Sequence, residues 1–160
     1  MLDYNYNKKT NFSIYLERRQ EFDSQYNSEI NAYSGEINMR NRINDDFHLD
    51  SSLILTQEEG QDVTEISNYN IKSVELKERI TYYFLKKYKL FGRFSYKRNF
   101  RSGPFLDYFN EKKDGNLFKT NFTLIYEINN YSSINIEYDG KLYPDSEDIH
   151  KISLEAKAEF

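Results

Sequence analysis

An all-β fold, an antiparallel up-and-down β-barrel of about eight strands or the last eight strands of a larger barrel, is predicted by three observations. Apolar and polar residues alternate with period two in one segment after another, and no stretch of helical periodicity competes. Aromatics make up 17% of the 160 residues, yet mean hydropathy is −0.86 and 30% of residues are charged. That mixture suits a sheet whose two faces prefer opposite surroundings, not a core of Leu, Val and Ala. Only two Pro and six Gly interrupt the chain, so long extended segments run unbroken.

The elements follow in order after a lead-in over 1–9, with the barrel domain spanning 10–160. Phe12, Ile14 and Leu16 mark one face of a strand over 10–21, and Ile37, Met39 and Ile43 that of 35–44. Phe47, Leu49, Leu53 and Leu55 mark 46–57; Val74, Leu76, Ile80, Tyr82 and Phe84 mark 71–85. Leu90, Phe94, Tyr96 and Phe100 mark 89–100, and Phe118, Phe122, Leu124, Tyr126 and Ile128 mark 116–129. Ile134, Ile136, Tyr138 and Leu142 mark 132–142. The run "KISLEAKAEF" closes the series over 149–160.

The connections alternate in length. "NDD" (44–46), "KKYK" (86–89) and "NNYSS" (129–133) are tight, whereas 20–35, 58–70, 99–115 and 143–148 are longer. Short turns therefore gather at one end of the strands and long loops at the other. An antiparallel meander of this kind closes into a barrel, which removes exposed strand edges.

Alternation alone does not say which face is outside. A soluble lipocalin-like barrel carrying an apolar ligand turns the apolar set inward, and an outer-membrane barrel turns it toward lipid. Three features favour lipid and make the predicted fold transmembrane. The strand lengths match a tilted membrane strand of roughly 9–11 residues. Phe12, Phe47, Phe84, Tyr126 and Phe160 near the short turns, with Phe100 and Phe118 at the other end, form two aromatic girdles around Ile14, Leu53, Leu76, Leu124 and Leu154. The asymmetry of turns and loops matches bacterial barrels. On the polar face, Lys and Arg nearly balance Asp and Glu, as a closed lumen requires. Its ion-pair network is expected to include Arg40, Arg42, Asp50, Glu75, Arg79, Arg93, Glu137 and Glu155, filling the interior instead of leaving an open pore. Against lipid stand Asn41 and Glu78, mid-strand on the apolar side unless a bulge or a protein contact re-aims Glu78.

Several classes are disfavoured. Net charge is −4 with signs interleaved, so no basic stripe points to nucleic acid. Cysteine is absent, which removes disulfides and thiolate metal sites. No apolar run approaches the roughly 20 residues of a membrane helix. The opening "MLDYNYNKKT" has no apolar signal region, so an exported form is expected to be mature or a piece of a longer chain.

Ile152, Leu154, Ala156, Ala158 and Phe160 place alternating apolar residues before a final aromatic. This run resembles the C-terminal assembly signal of Gram-negative outer-membrane β-barrels. Residues 70–160, with Tyr138, Gly140, His150, Ala158 and Phe160, resemble the closing strands of large proteins of that class. The resemblance implies an outer-membrane location and contact with the barrel-assembly machinery, outer-membrane lipid and lipopolysaccharide. It also admits a larger barrel as partner, and carries no catalytic residue or cofactor across.

Three constellations remain. His48, Asp50 and Ser52 are hydrolase residue types, which keeps a lipid-modifying enzyme as an alternative. Alternate strand residues lie roughly 6.5–7 Å apart, too far for a relay, so ordinary polar groups are the expectation. Asp145, Glu147, Asp148 and His150 lack the spacing of a calcium loop and read as solvated. The connection holding Phe100, Phe105, Leu106, Tyr108 and Phe109 carries more apolar surface than an exposed loop leaves wet. It is expected to fold over the barrel mouth or to bind a partner protein or glycan. The role that follows is anchoring or partner binding through long loops, without catalysis.

Overall fold

The computed structural model describes residues 2–7, 9–23, 28–62, 68–103, 113–144 and 147–158. Nine strands run in chain order: β1 (Leu2–Asn7), β2 (Thr10–Asp23), β3 (Ser28–Arg42), β4 (Phe47–Asp62), β5 (Asn68–Phe84), β6 (Tyr88–Ser102), β7 (Gly115–Asn129), β8 (Ser132–Leu142) and β9 (Ile149–Ala158). Each pairs antiparallel with its sequence neighbour, giving one up-and-down sheet in the order β1 to β9. The eight predicted strands are all present. The ninth, β1, lies within the lead-in and pairs with the first half of β2.

Register confirms the predicted phase. Ile14, Ile37, Leu53, Leu76, Tyr96 and Phe118 are successive cross-strand partners on one face. Side chains alternate across a strand, so the intervening polar residues share the other face. Seven strands, β2 to β8, contribute residues such as Tyr15, Asn38, Ser52, Arg79, Ser95, Asn121 and Asp139 to one cavity of about 870 Å³. The sheet therefore curls with its polar face concave. No bulge occurs near Glu78: the only register shifts in the described ladders fall between Asn5 and Asn7 and between Glu127 and Asn129.

The strands outrun the prediction at the long-loop end. The segments 20–35 and 58–70 were expected to be loops, yet β2 continues to Asp23, β3 begins at Ser28, β4 reaches Asp62 and β5 begins at Asn68. In these extensions the alternation fades, because the convex face itself turns polar at Glu29, Asn31, Gln57, Glu59 and Asn70, opposite concave Ile30, Ala32 and Ile71. The backbone ladder continues without that signal. The 17 residues of β5 cover roughly 55 Å at ~3.3 Å per residue, more than a tilted strand needs to cross a ~25 Å apolar band.

Turn chemistry closes the other end. The Asn44 side-chain oxygen accepts from the Asp46 and Phe47 amides at 2.9 and 2.7 Å, tightening the β3–β4 turn. Asn129 does the same for the Tyr131 amide at 2.8 Å. Between β5 and β6, in a three-residue turn over 85–87, Leu85 and Lys86 adopt φ of 51° and 55°, left-handed backbone that Asn and Gly normally supply.

Buried hydrophobic side chains are few. Among the described residues they are Ile71 and Leu117, 5% and 3% exposed, both concave and at the long-loop end. Large apolar side chains on the convex face stay exposed, including Leu16, Leu53, Leu76, Phe94, Phe122 and Leu154.

Candidate functional site

The convex face is built as a banded surface. At its short-turn edge five rings form a chain. Phe47 meets Tyr82 edge-on at 5.7 Å, Tyr82 stacks on Phe84 at 5.4 Å, Phe84 on Tyr88 at 4.9 Å and Tyr88 on Tyr126 at 4.8 Å. Tyr96 and Phe118 lie 4.8 Å apart nearer the other end. Gly92 points outward and is roofed by Phe122: a Cβ there would lie 3.1 Å from that ring, so glycine permits the close approach. Beyond the band the face turns cationic. Arg18 lies over Tyr33 at 5.6 Å and Arg98 over Phe100 at 5.2 Å, with Lys72 and Phe100 bordering the same shallow groove as Arg18 and Tyr33.

Polar side chains interrupt the apolar band, among them Asn41, which accepts from Thr10 at 3.4 Å. Glu78 keeps its convex position and accepts a hydrogen bond from the Ser51 hydroxyl at 2.6 Å. Tyr138 and His150 share a 2.9 Å hydrogen bond between the phenol oxygen and ring Nδ1.

The concave face carries the network residues, and the structure resolves them into separate groups. Arg40 Nε meets Asp50 at 3.2 Å, Lys77 meets Glu75 at 3.6 Å, Lys157 meets Glu155 at 3.2 Å, and Arg42 meets Asp45 of the turn at 3.0 Å. Lys89 pairs with Glu127 near the short turns. Asn121 donates to both Glu137 and Asp139, at 3.0 and 2.8 Å, and Ser95 donates to Glu75 at 2.7 Å. Ser52 bonds Asn38, and Thr56 bonds Ser73. Arg79 and Arg93 are direct cross-strand partners of each other. Small residues such as Ser13, Ser52 and Ser95 line the central rows of the concave cavity beside the charged groups.

The hydrolase types are not brought together. His48 reaches the Asp45 carbonyl at 3.3 Å, Asp50 is held by Arg40, and Ser52 by Asn38. Each group spends its hydrogen bonds on a different neighbour. Of the acidic connection, Asp145 lies outside the described residues, while His150 is engaged by Tyr138. Among the described residues no three His, Asp or Glu side chains gather as a metal site.

At the mouth, Asn99 is 1% exposed and donates to the Lys113 carbonyl at 2.9 Å. Tyr69 donates to Glu58 at 3.0 Å beneath Arg101, which lies 5.3 Å from the ring; burial here lowers the Arg101 guanidinium from its ordinary value. Phe100 of the aromatic connection stands exposed on the convex face; Phe105, Leu106, Tyr108 and Phe109 lie outside the described residues. Of the terminal run, Ile152, Leu154, Ala156 and Ala158 occupy the convex side of β9, and Phe160 lies outside the described residues. The cationic fringe formed by Arg18, Lys72 and Arg98 escaped the sequence reading, which phased the strands only across the apolar band.

Comparison with protein-family models and with curated proteins gives no match. A solved structure that aligns is the backbone structure of the Yersinia pestis outer membrane protein Ail in a phospholipid bilayer nanodisc. It has 16% identity and a TM-score of 0.43, over 95% of this chain and 99% of that one.

Proposed function

We propose that this chain is a membrane-spanning β-barrel wall of a Gram-negative outer membrane, acting as an anchor that presents its strand extensions and long loops to a partner. One observation carries the reading: the apolar side chains cover the convex face while the charged ones line the cavity. Burying apolar area contributes about 25 cal/mol per Å², so leaving Leu16 at 84% and Leu154 at 72% exposure to water would forfeit the main driving force of folding. Hydrocarbon around that face removes the conflict. A ligand-carrying soluble barrel needs the reverse arrangement.

The same surface supports the lipid partners. Arg18, Lys72 and Arg98 stand just past the aromatic fringe, where the phosphates of lipopolysaccharide would meet them. The alternation of Ile152, Leu154, Ala156 and Ala158 on β9 supports recognition by the barrel-assembly machinery. Every described residue of β9 is exposed, and its outer edge has no partner strand among the described residues, which is where strands of a larger barrel would add.

Nitroxide labels at Leu76, Phe94, Leu124 and Leu154, in protein reconstituted into bilayers, test the reading. Relaxation by dissolved oxygen should dominate at all four sites. Dominant relaxation by a water-soluble nickel chelate, or a monodisperse monomer without detergent, would overturn it.

A further inference from the structure

The middle of the cavity is basic in an acidic chain. Arg40, Lys77, Arg79, Arg93, Lys119 and Lys141 line it, and the acids beside them on the same face are Asp50, Asp139, Glu75, which engages Lys77, and Glu137, which borders the adjoining cleft with Arg79 and Arg93. Glu78 also borders the cavity, but its carboxylate points to the convex side, where Ser51 holds it. The belt thus carries an excess of two positive charges, whereas the whole chain has net charge −4. Nor are the acids available to every cation. Asp50 is engaged by Arg40, and Asp139 accepts from Asn121.

Arg79 and Arg93 are the sharpest point of this imbalance. They are paired Cα partners on β5 and β6, and among the described residues neither forms an ion pair or hydrogen bond. Like charges directly opposite on a sheet repel. Low-dielectric walls around a cavity focus such a field. An oxyanion placed between the two planar forks converts that repulsion into paired, charge-assisted hydrogen bonds. Lys77 on β5 and Lys119 on β7 occupy the next concave row toward the long-loop end, on either side of Ser95, with which both are in register.

The geometry points to an oxyanion site at the lumen waist: Arg79 and Arg93 bind a phosphate or phosphate monoester, with Lys77 and Lys119 supplying further positive charge. The volume of about 870 Å³ falls within the range of small-ligand cavities, roughly 300–1,000 Å³, so a phosphorylated solute fits as well as free phosphate. Hydroxyl and amide groups of Ser52, Ser95 and Asn38 on the same wall suit a sugar-like remainder. This goes beyond the membrane reading and rests on the concave face alone.

Calorimetric titration in dodecyl maltoside, a detergent without phosphate, tests it with inorganic phosphate and glucose 6-phosphate as separate probes. The unaltered protein should bind phosphate saturably at low ionic strength. Tighter binding of the sugar phosphate would identify a phosphorylated solute as the preferred form, and tighter binding of inorganic phosphate the free anion. R79Q/R93Q should weaken binding at least tenfold, while R19Q, at the long-loop end, leaves it unchanged. R79K/R93K keeps the charge but removes the forks and should weaken binding about threefold or more, which decides the matter if the glutamine pair fails to fold. Absence of saturable binding, or unaltered affinity in R79Q/R93Q, would overturn the proposal.

Discussion

Ser51 and Glu78 face each other across β4 and β5, and the serine hydroxyl donates to the carboxylate at 2.6 Å on the convex side of the sheet. The pair sits in a row between Met39 and Phe94, within the apolar band. An acidic side chain in that position is costly in lipid, and a single donor offsets only part of the cost. Glu78→Leu is therefore expected to raise stability in vesicles by about 1–2 kcal/mol, read from denaturant midpoints. Ser51→Ala should do the opposite, by about 1–3 kcal/mol, because it leaves the acid without its donor. Destabilisation by both would mean that the carboxylate serves a contact outside the sheet.

The β5–β6 turn stores backbone strain. Leu85 and Lys86 both lie at positive φ, and Leu85 is exposed, so neither side chain compensates by packing. Left-handed backbone costs an ordinary residue roughly 1 kcal/mol or more. Leu85→Asn with Lys86→Gly matches the turn geometry and should add about 1–2 kcal/mol in the same measurement. No gain would show that the turn residues serve something other than the hairpin.

Tyr88 is an inner link of the aromatic chain, stacked on Phe84 and Tyr126. Each such pair contributes about 0.5–1.5 kcal/mol beyond area burial. Tyr88→Ala should cost about 2 kcal/mol or more in bilayers, whereas Tyr131→Ala, in the neighbouring exposed turn, should be near neutral. Equal effects would deny the girdle a specific role.

The parts of this fold legible in sequence are those where one period-two signal decides the answer. Leu53, Leu76 and Leu124 alternate with Ser52, Lys77 and Thr123, and that contrast sets strand identity, register phase and facing at once. The signal vanishes where the convex face also turns polar. Glu29, Asn31, Gln57 and Glu59 therefore read as loop although the ladder runs through them, and Leu2–Asn7 gives no pattern long enough to mark a strand. Pairwise contacts were legible less well. The sequence places Arg79 among charged neighbours but not opposite Arg93. That alignment depends on the length of the turn at 85–87, which sets the register between β5 and β6.

Leu124 and Thr123 offer the most direct separation of the two faces, because they are adjacent in β7 and share every backbone circumstance. Leu124 lies in the convex row with Leu90 and Ile136, and Thr123 lies in the concave row with Phe91 and Glu137. An arginine facing the middle of a bilayer costs about 2–4 kcal/mol, while one facing a polar lumen is free to find water or Glu137. Leu124→Arg should therefore destabilise the vesicle-embedded protein by that amount, with Thr123→Arg within about 1 kcal/mol of the unaltered chain. Transfer to detergent micelles should shrink the Leu124→Arg penalty, since a micelle deforms around a charge more readily than a bilayer. The reverse ranking, with Thr123→Arg the more damaging in vesicles, would place lipid on the wrong side of the sheet.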